Sequence, residues 1–175
     1  MTYIQSLTDL AGSSLTTPVN GYNEHDTFYS KSIVTKAATP LSLAALTNLA
    51  NYLQNTPTPS GTSWMVIWNL YGGPGSVISS IPLGSSSYPH RSSGYVGLFY
   101  VWSNGAWVPA SIPFAAGMVN SLGSEASSLG AYAPYVDPEL GASAPSKYWG
   151  AGVPQLQSIR NARDPTDVFL NPQGF

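Results

Sequence analysis

Apolar positions recur along this chain with two different periods, and the switches between them predict its elements. Residues 27–36, Thr-Phe-Tyr-Ser-Lys-Ser-Ile-Val-Thr-Lys, are rich in β-branched and aromatic side chains and read as a strand. Thr39 then offers an N-cap and Pro40 a first helical position. Leu43, Leu46, Ala50 and Leu53 follow at spacings of three, four and three, which predicts a helix over about 40–54 with one apolar face. The run Trp64-Met65-Val66-Ile67-Trp68 lies between Pro57-Thr58-Pro59-Ser60-Gly61 and Tyr71-Gly72-Gly73-Pro74-Gly75, and predicts a largely buried strand over 63–70. Residues 94–103 make a further strand, ended by the tight-turn pair Asn104-Gly105.

Phe114, Met118, Leu122, Ala126 and Leu129 restore the helical period and predict a helix over about 111–129. Gly117 and Gly123 each cost it about 1 kcal/mol relative to alanine, so it must lean on tertiary packing. Residues 131–136 read as a short extended segment and 141–147 as a small-residue loop. A last helix starts near Pro154, carries Leu156 and Ile159 on one face, and stops at Asp164-Pro165, because the residue before proline is pushed out of the α region. Residues 1–24 read weakly, as a short helix or strand followed by a Ser/Thr/Gly-rich loop. The element order is that of an α+β unit, an antiparallel sheet with helices on one face. No internal repeat is visible, and the 175 residues suit one domain with its own core.

Composition changes this picture in one respect. Charged residues are only 8% of the chain, where about 25% is usual, yet there are five Trp and eleven Tyr. An apolar fraction of 43% argues against disorder. Low charge with many aromatics is the signature of a surface partly covered by a partner. Six basic residues and a net charge of −2 give no footprint for nucleic acid or anionic membranes. No apolar run reaches the roughly 18 residues of a spanning helix. The start, Met1-Thr2-Tyr3-Ile4-Gln5, does not read as a secretory signal, and no N-glycosylation acceptor occurs, so an intracellular chain, or one already parted from its signal, is expected. With no cysteine, and with His25 and His90 far apart, neither a thiolate nor a metal site is expected. Gly72-Gly73-Pro74-Gly75 has the wrong spacing for a dinucleotide fingerprint, and no other cofactor motif is present.

The remaining polar and aromatic residues supply the chemical candidates. His90-Arg91 pairs a possible acid/base group with a fixed donor, or is a loop braced by its arginine. Asn69, at the end of its strand, can hydrogen-bond a substrate or face solvent, but cannot act as a general base. In Ala131-Tyr132-Ala133-Pro134-Tyr135-Val136-Asp137, strand alternation puts Tyr135 on the face opposite Tyr132. Both tyrosines can equally be core or interface aromatics.

In order along the chain, Phe28-Tyr29-Ser30-Lys31-Ser32, Trp68-Asn69-Leu70-Tyr71-Gly72-Gly73, Tyr88-Pro89-His90-Arg91, Tyr132 to Asp137, Tyr148-Trp149-Gly150 and Asn171-Pro172-Gln173 resemble the C-terminal part of berberine-bridge-type, FAD-linked oxidoreductases. The resemblance implies a partial substrate-binding domain over 1–144, and a closing segment over 145–175 that packs on a flavin-binding domain in another chain. It implies FAD held mainly by that second polypeptide, a small-molecule substrate, and Tyr135 as catalytic base. Trp68, Asn69, Tyr71, His90, Tyr100 and Tyr132 become substrate-binding candidates, and Tyr135, Asn171 and Gln173 cofactor contacts. Phe169, with Asn171 to Gln173, is expected to bury against the second chain. Pro134 departs from the family's asparagine at its position and brings neither side-chain polarity nor an N–H. The implied function is a small subunit or C-terminal piece of a split FAD-dependent oxidoreductase. The alternatives are a non-catalytic scaffold of such an oxidase, and a flavin-free pseudo-oxidase or cyclase.

Overall fold

The structure is a computed structural model and describes residues 2–11, 27–127, 129–171 and 173–174. An N-terminal helix, α1 (Tyr3–Ala11), precedes strand β1 (Thr27–Lys36); the rest of the expected N-terminal loop lies outside the described residues. Helix α2 (Leu43–Asn55), strands β2 (Ser63–Leu70) and β3 (Ser93–Ser103), and helices α3 (Ser111–Asn120) and α4 (Ser124–Ser127) follow. Helices α5 (Ala144–Trp149) and α6 (Val153–Arg163) close the chain. The three strands form one antiparallel sheet in the order β1-β3-β2.

Alternation divides the sheet into two unlike faces. Tyr29, Ile33, Phe99, Val101, Trp64, Val66 and Trp68 point to one side, where α2 and α3 cover them; Leu49, Phe114 and Met118 complete this core. Phe99, Val101 and Met118 are wholly buried, each contributing about 1.5–3 kcal/mol by leaving water. Ser30, Ser32, Val34, Val96, Leu98, Tyr100 and Asn69 lie on the other face. The expected α+β unit with an antiparallel sheet is therefore present.

Several local expectations need correction. Helix α2 begins at Leu43, not Pro40, because Ser42 is its N-cap: Ser42 Oγ accepts the Ala45 N–H at 3.1 Å. The long helix over 111–129 is two, α3 and α4, since Gly123 takes φ +70° between them. Gly117 stays helical and leaves room for the Tyr52 ring, whose hydroxyl donates to the Phe114 carbonyl at 3.0 Å. β2 is an edge strand and only half-buried, with Met65 and Ile67 exposed, so the unbroken apolar run did not mean burial on both faces. Residues 131–136 are not extended. Gly130, just before the segment, bridges to Val34, and the segment itself is a turn in which the Tyr135 N–H donates to the Tyr132 carbonyl at 2.8 Å. Of residues 141–147, expected as loop, the stretch from Ala144 onward belongs to helix α5, with proline in its first turn. Among the described residues no helix is long and apolar enough to cross a membrane.

Candidate active site

The turn at 132–137 sits where it does because β1 grips it from both faces. From one side, Ser32 Oγ accepts the Tyr132 N–H at 2.8 Å and Ser30 Oγ donates to the Val136 carbonyl at 2.9 Å. From the other, Tyr29 donates its hydroxyl to Asp137 Oδ1 at 2.9 Å, and Lys31 Nζ lies 2.9 Å from Asp137 Oδ2. Asp137 is 2% exposed, and its Oδ1 also accepts the Glu139 N–H at 3.1 Å, so the buried carboxylate is both paired and hydrogen-bonded. Burial and the neighbouring Asp137 carboxylate push the Tyr29 phenol well above its ordinary pKa, which keeps it a neutral donor.

Held in this way, Tyr135 and Tyr132 meet edge to face at 5.0 Å rather than pointing to opposite sides, because the segment turns instead of running straight. Tyr132 lies edge-on to Tyr71 at 5.6 Å and to Tyr88 at 6.0 Å, and Tyr71 donates its hydroxyl to Tyr132 at 3.2 Å. That hydrogen bond, followed by burial, raises the Tyr71 pKa; burial raises that of Tyr88. Asn69 Nδ2 approaches the Tyr135 hydroxyl at 3.5 Å. A cleft of about 260 Å³ opens beside this cluster, lined by Tyr71, Tyr88, Tyr132, Pro134, Tyr148 and Trp149.

The structure thus gathers Asn69, Tyr71, Tyr132 and Tyr135 from the expected set, with Tyr88 added. His90 stands beside Tyr88 at 5.5 Å, but its Nε2–H is engaged at 2.9 Å by the Ala131 carbonyl. Burial holds its pKa below the usual histidine value. Arg91 donates to Ser86 Oγ at 2.6 Å and faces the Tyr88 ring at 5.6 Å, so it braces the loop. Tyr100 is on the same sheet face but farther along, stacked with Phe28 at 5.1 Å and next to Trp102 at 5.6 Å. Trp68 is on the opposite face, edge-on to Phe99 at 5.8 Å and closed over Gly97. Strand alternation alone separates it from Asn69.

In the closing segment, Gln173 turns inward. Its Oε1 accepts the Tyr148 hydroxyl at 3.0 Å and its Nε2 donates to the Asp137 carbonyl. Asn171 is exposed and accepts the Gln173 N–H at 2.9 Å. Phe169 is 85% exposed, on a hook in which Asp164 accepts the N–H groups of Val168 and Phe169 and Asp167, at φ +56°, pairs with Arg160. Tyr88 and Tyr148 stand in motifs that carry the resemblance but were not among the expected site residues, and Gly130 escaped the sequence reading. Gly130 is needed because a Cβ there would come within 2.3 Å of the His90 ring, and no local pattern announces that. Among the described residues there is no cluster of metal-binding side chains.

The comparisons fit this geometry. Residues 131–175 match the profile of the family "Berberine and berberine like". The xylooligosaccharide oxidase of Thermothelomyces thermophilus is 34% identical over 159 residues, covering 87% of this chain and 31% of its own length. The chitooligosaccharide oxidase of Gibberella zeae is 29% identical over 170 residues, covering 94% and 34%. A solved structure of chitooligosaccharide oxidase superposes with a TM-score of 0.79 at 28% identity, over 94% of this chain and 36% of that one. The chain therefore spans about a third of the length of the curated relatives it matches. Fold and closing segment together define a part of the berberine-bridge-like oxidase fold. The chain is related to the FAD-linked oxidoreductases of that type and corresponds to their C-terminal part.

Proposed function

We propose that this chain supplies the substrate side of an FAD-dependent oxidoreductase whose flavin is carried by a second polypeptide. In this reading residues 1–144 are part of the substrate-binding domain and 145–175 the segment that closes on the flavin domain. The observation that carries it is the fixed position of Tyr135: a tyrosine hydroxyl on the open sheet face, beside the Asn69 amide, on a turn tied to β1 from both sides. The described residues offer no glycine-rich phosphate cradle opening a helix. Gly73 and Gly75 lead only into a short 3-10 turn at Val77–Ser80, so FAD would be held elsewhere, with Tyr135 and the aromatic cleft meeting one side of it.

When bound, the flavin supplies the hydride acceptor for the carbon being oxidised. Tyr135 takes the proton from the substrate hydroxyl as that carbon is oxidised. Asn69 Nδ2 is placed to donate to the Tyr135 oxygen, which stabilises the developing phenolate and orients it. A phenol of ordinary pKa about 10 needs such help near neutrality. Tyr71 and Tyr132, joined by their hydroxyls, wall the pocket and exclude water. The two relatives named above are oligosaccharide oxidases, and a small carbohydrate or related alcohol is the substrate class this reading adopts. Asn171 is the closing segment's candidate for a contact near the cofactor.

The test is reconstitution with the flavin-bearing polypeptide, followed by flavin reduction under xylobiose, chito-oligosaccharides and simple alcohols. Substrate-dependent reduction that needs this chain supports the proposal; reduction without it overturns it. A second reading, the non-catalytic scaffold, draws on Pro134, which is exposed beside the cleft and presents no polar group there. Replacing Tyr135 by Phe separates the two, since a scaffold loses little turnover.

A further inference from the structure

Both ends of the Gln173 side-chain amide are used inside this chain, one on Asp137 directly and the other on Asp137 through Tyr148. Nε2 donates directly to the Asp137 carbonyl. Oε1 accepts the Tyr148 hydroxyl at 3.0 Å, and the oxygen of that hydroxyl accepts the Asp137 N–H at 2.9 Å. The amide and the phenol thus clasp the backbone N–H and C=O of Asp137 together, while its carboxylate is held by Tyr29 and Lys31. Asp137 ends the turn that carries Tyr135 two residues earlier. The exposed hook ends three residues before Gln173, with Val168, Phe169 and Leu170 at 72, 85 and 71% exposure.

We propose that Gln173 is a positioning residue rather than a cofactor ligand, and that its clasp on Asp137 makes the placement of Tyr135 depend on how the closing tail is seated. Two short covalent paths connect the parts: Asn171 to Gln173 joins the hook to the clasp, and Tyr135 to Asp137 joins the clasp to the candidate base. A partner that seats Phe169 fixes the tail, and the clasp passes that order to the turn. The base is then fully placed only when the assembly is complete. The proposal rests on the reading of Tyr135 as base for its kinetic consequence, but not for the clasp itself.

Hydrogen exchange on the chain alone tests the clasp. Gln173→Ala and Tyr148→Phe should each speed amide exchange across 131–140 by about tenfold, the loss expected when one or two net hydrogen bonds of ordinary strength are removed. Exchange in β1 and β3 should stay unchanged, and the double variant should go little beyond either single one, because the two side chains act as one unit. Phe169→Ala, which removes an exposed ring, should leave free-chain exchange unaltered. Unchanged protection of 131–140 in Gln173→Ala would overturn the proposal. So would uniform loss across the sheet, which would mark Gln173 as a general stabiliser. In the reconstituted oxidase, Gln173→Ala should lower kcat about tenfold with KM nearly constant, whereas a rise in KM alone would assign Gln173 to substrate binding and refute positioning. If reconstitution yields no oxidase, the functional reading fails and the exchange result still decides the clasp.

Discussion

Replacing Asp137 by Asn keeps the shape of the side chain and removes its charge, which isolates what the carboxylate contributes. In the native chain Asp137 Oδ2 lies 2.9 Å from Lys31 Nζ, and Oδ1 accepts from Tyr29 and from the Glu139 N–H. An asparagine can keep the Oδ1 acceptor but turns an N–H₂ toward the ammonium, so the Lys31 contact becomes repulsive. Removing one partner of a fully buried ion pair costs about 3–5 kcal/mol. Lys31 is slightly more open than Asp137, with 14% of its side chain exposed against 3%, and Glu139 remains 3.5 Å away. Those two features reduce the expected loss to about 2–3 kcal/mol. For a chain of this size each kcal/mol moves Tm by about 2–4 °C, so thermal unfolding should shift down by roughly 5–10 °C. Lys31→Met combined with Asp137→Asn should recover part of the loss, since no unpaired ammonium is left. A shift of less than about 2 °C for the single variant would refute the reasoning, because the pair would then contribute no more than an exposed one.

Gly117→Ala should destabilise the chain by about 1–3 kcal/mol in urea unfolding, although propensity alone favours alanine by about 1 kcal/mol, because a Cβ would stand 2.1 Å from the Tyr52 hydroxyl oxygen. Equal or greater stability would show that the Tyr52 ring can move aside at no cost. His90 gives a pH dependence of known sign. Its folded pKa lies below the ordinary value of about 6.5, so the unfolded chain binds the proton first. The stability it contributes is complete above about pH 6.5 and is lost as the pH falls below that value; His90→Asn should flatten this part of the profile, and an unchanged slope would count against the buried neutral ring. Asn69→Leu should leave folding intact but lower the rate of flavin reduction in the reconstituted pair about tenfold, measured by stopped flow; an unaltered rate would remove Asn69 from the site.

Much of the sheet was legible because its strands carry dense β-branched and aromatic residues between Gly and Pro punctuation: β1 and β2 fall where the sequence places them, and β3 begins one residue earlier. Where reading failed, a single residue had decided matters through contacts distant in sequence. Ser42 rather than Thr39 caps α2, helped by Glu125, which accepts the Ser42 hydroxyl at 2.6 Å from 83 residues away. Gly123 splits a continuous apolar stripe that a periodicity argument joins. Gly117 is a propensity defect in the sequence and a packing requirement in the fold. Tyr135 could be picked out only by resemblance, and its strand-like alternation with Tyr132 was misleading because Ser30 and Ser32 on β1 curl the segment into a turn. The Lys31–Asp137 pair had a usable signal: charge is so scarce here that a lysine inside a strand has to find a carboxylate. Gln173 had none, since a terminal Asn-Pro-Gln reads the same whether it meets a cofactor or the chain's own backbone.

Turnover of the proposed two-chain oxidase, reconstituted with Tyr135→Phe, tests the central claim most directly. The substitution removes one hydroxyl, keeps the ring contacts with Tyr132, and leaves every hydrogen bond that holds the turn in place. The account predicts that substrate-driven flavin reduction falls by about a hundredfold or more, the scale on which a positioned general base acts. Folding of the chain and its assembly with the flavin-bearing polypeptide should be unaffected. Flavin reduction at the wild-type rate in that variant would contradict the account and leave this chain a scaffold.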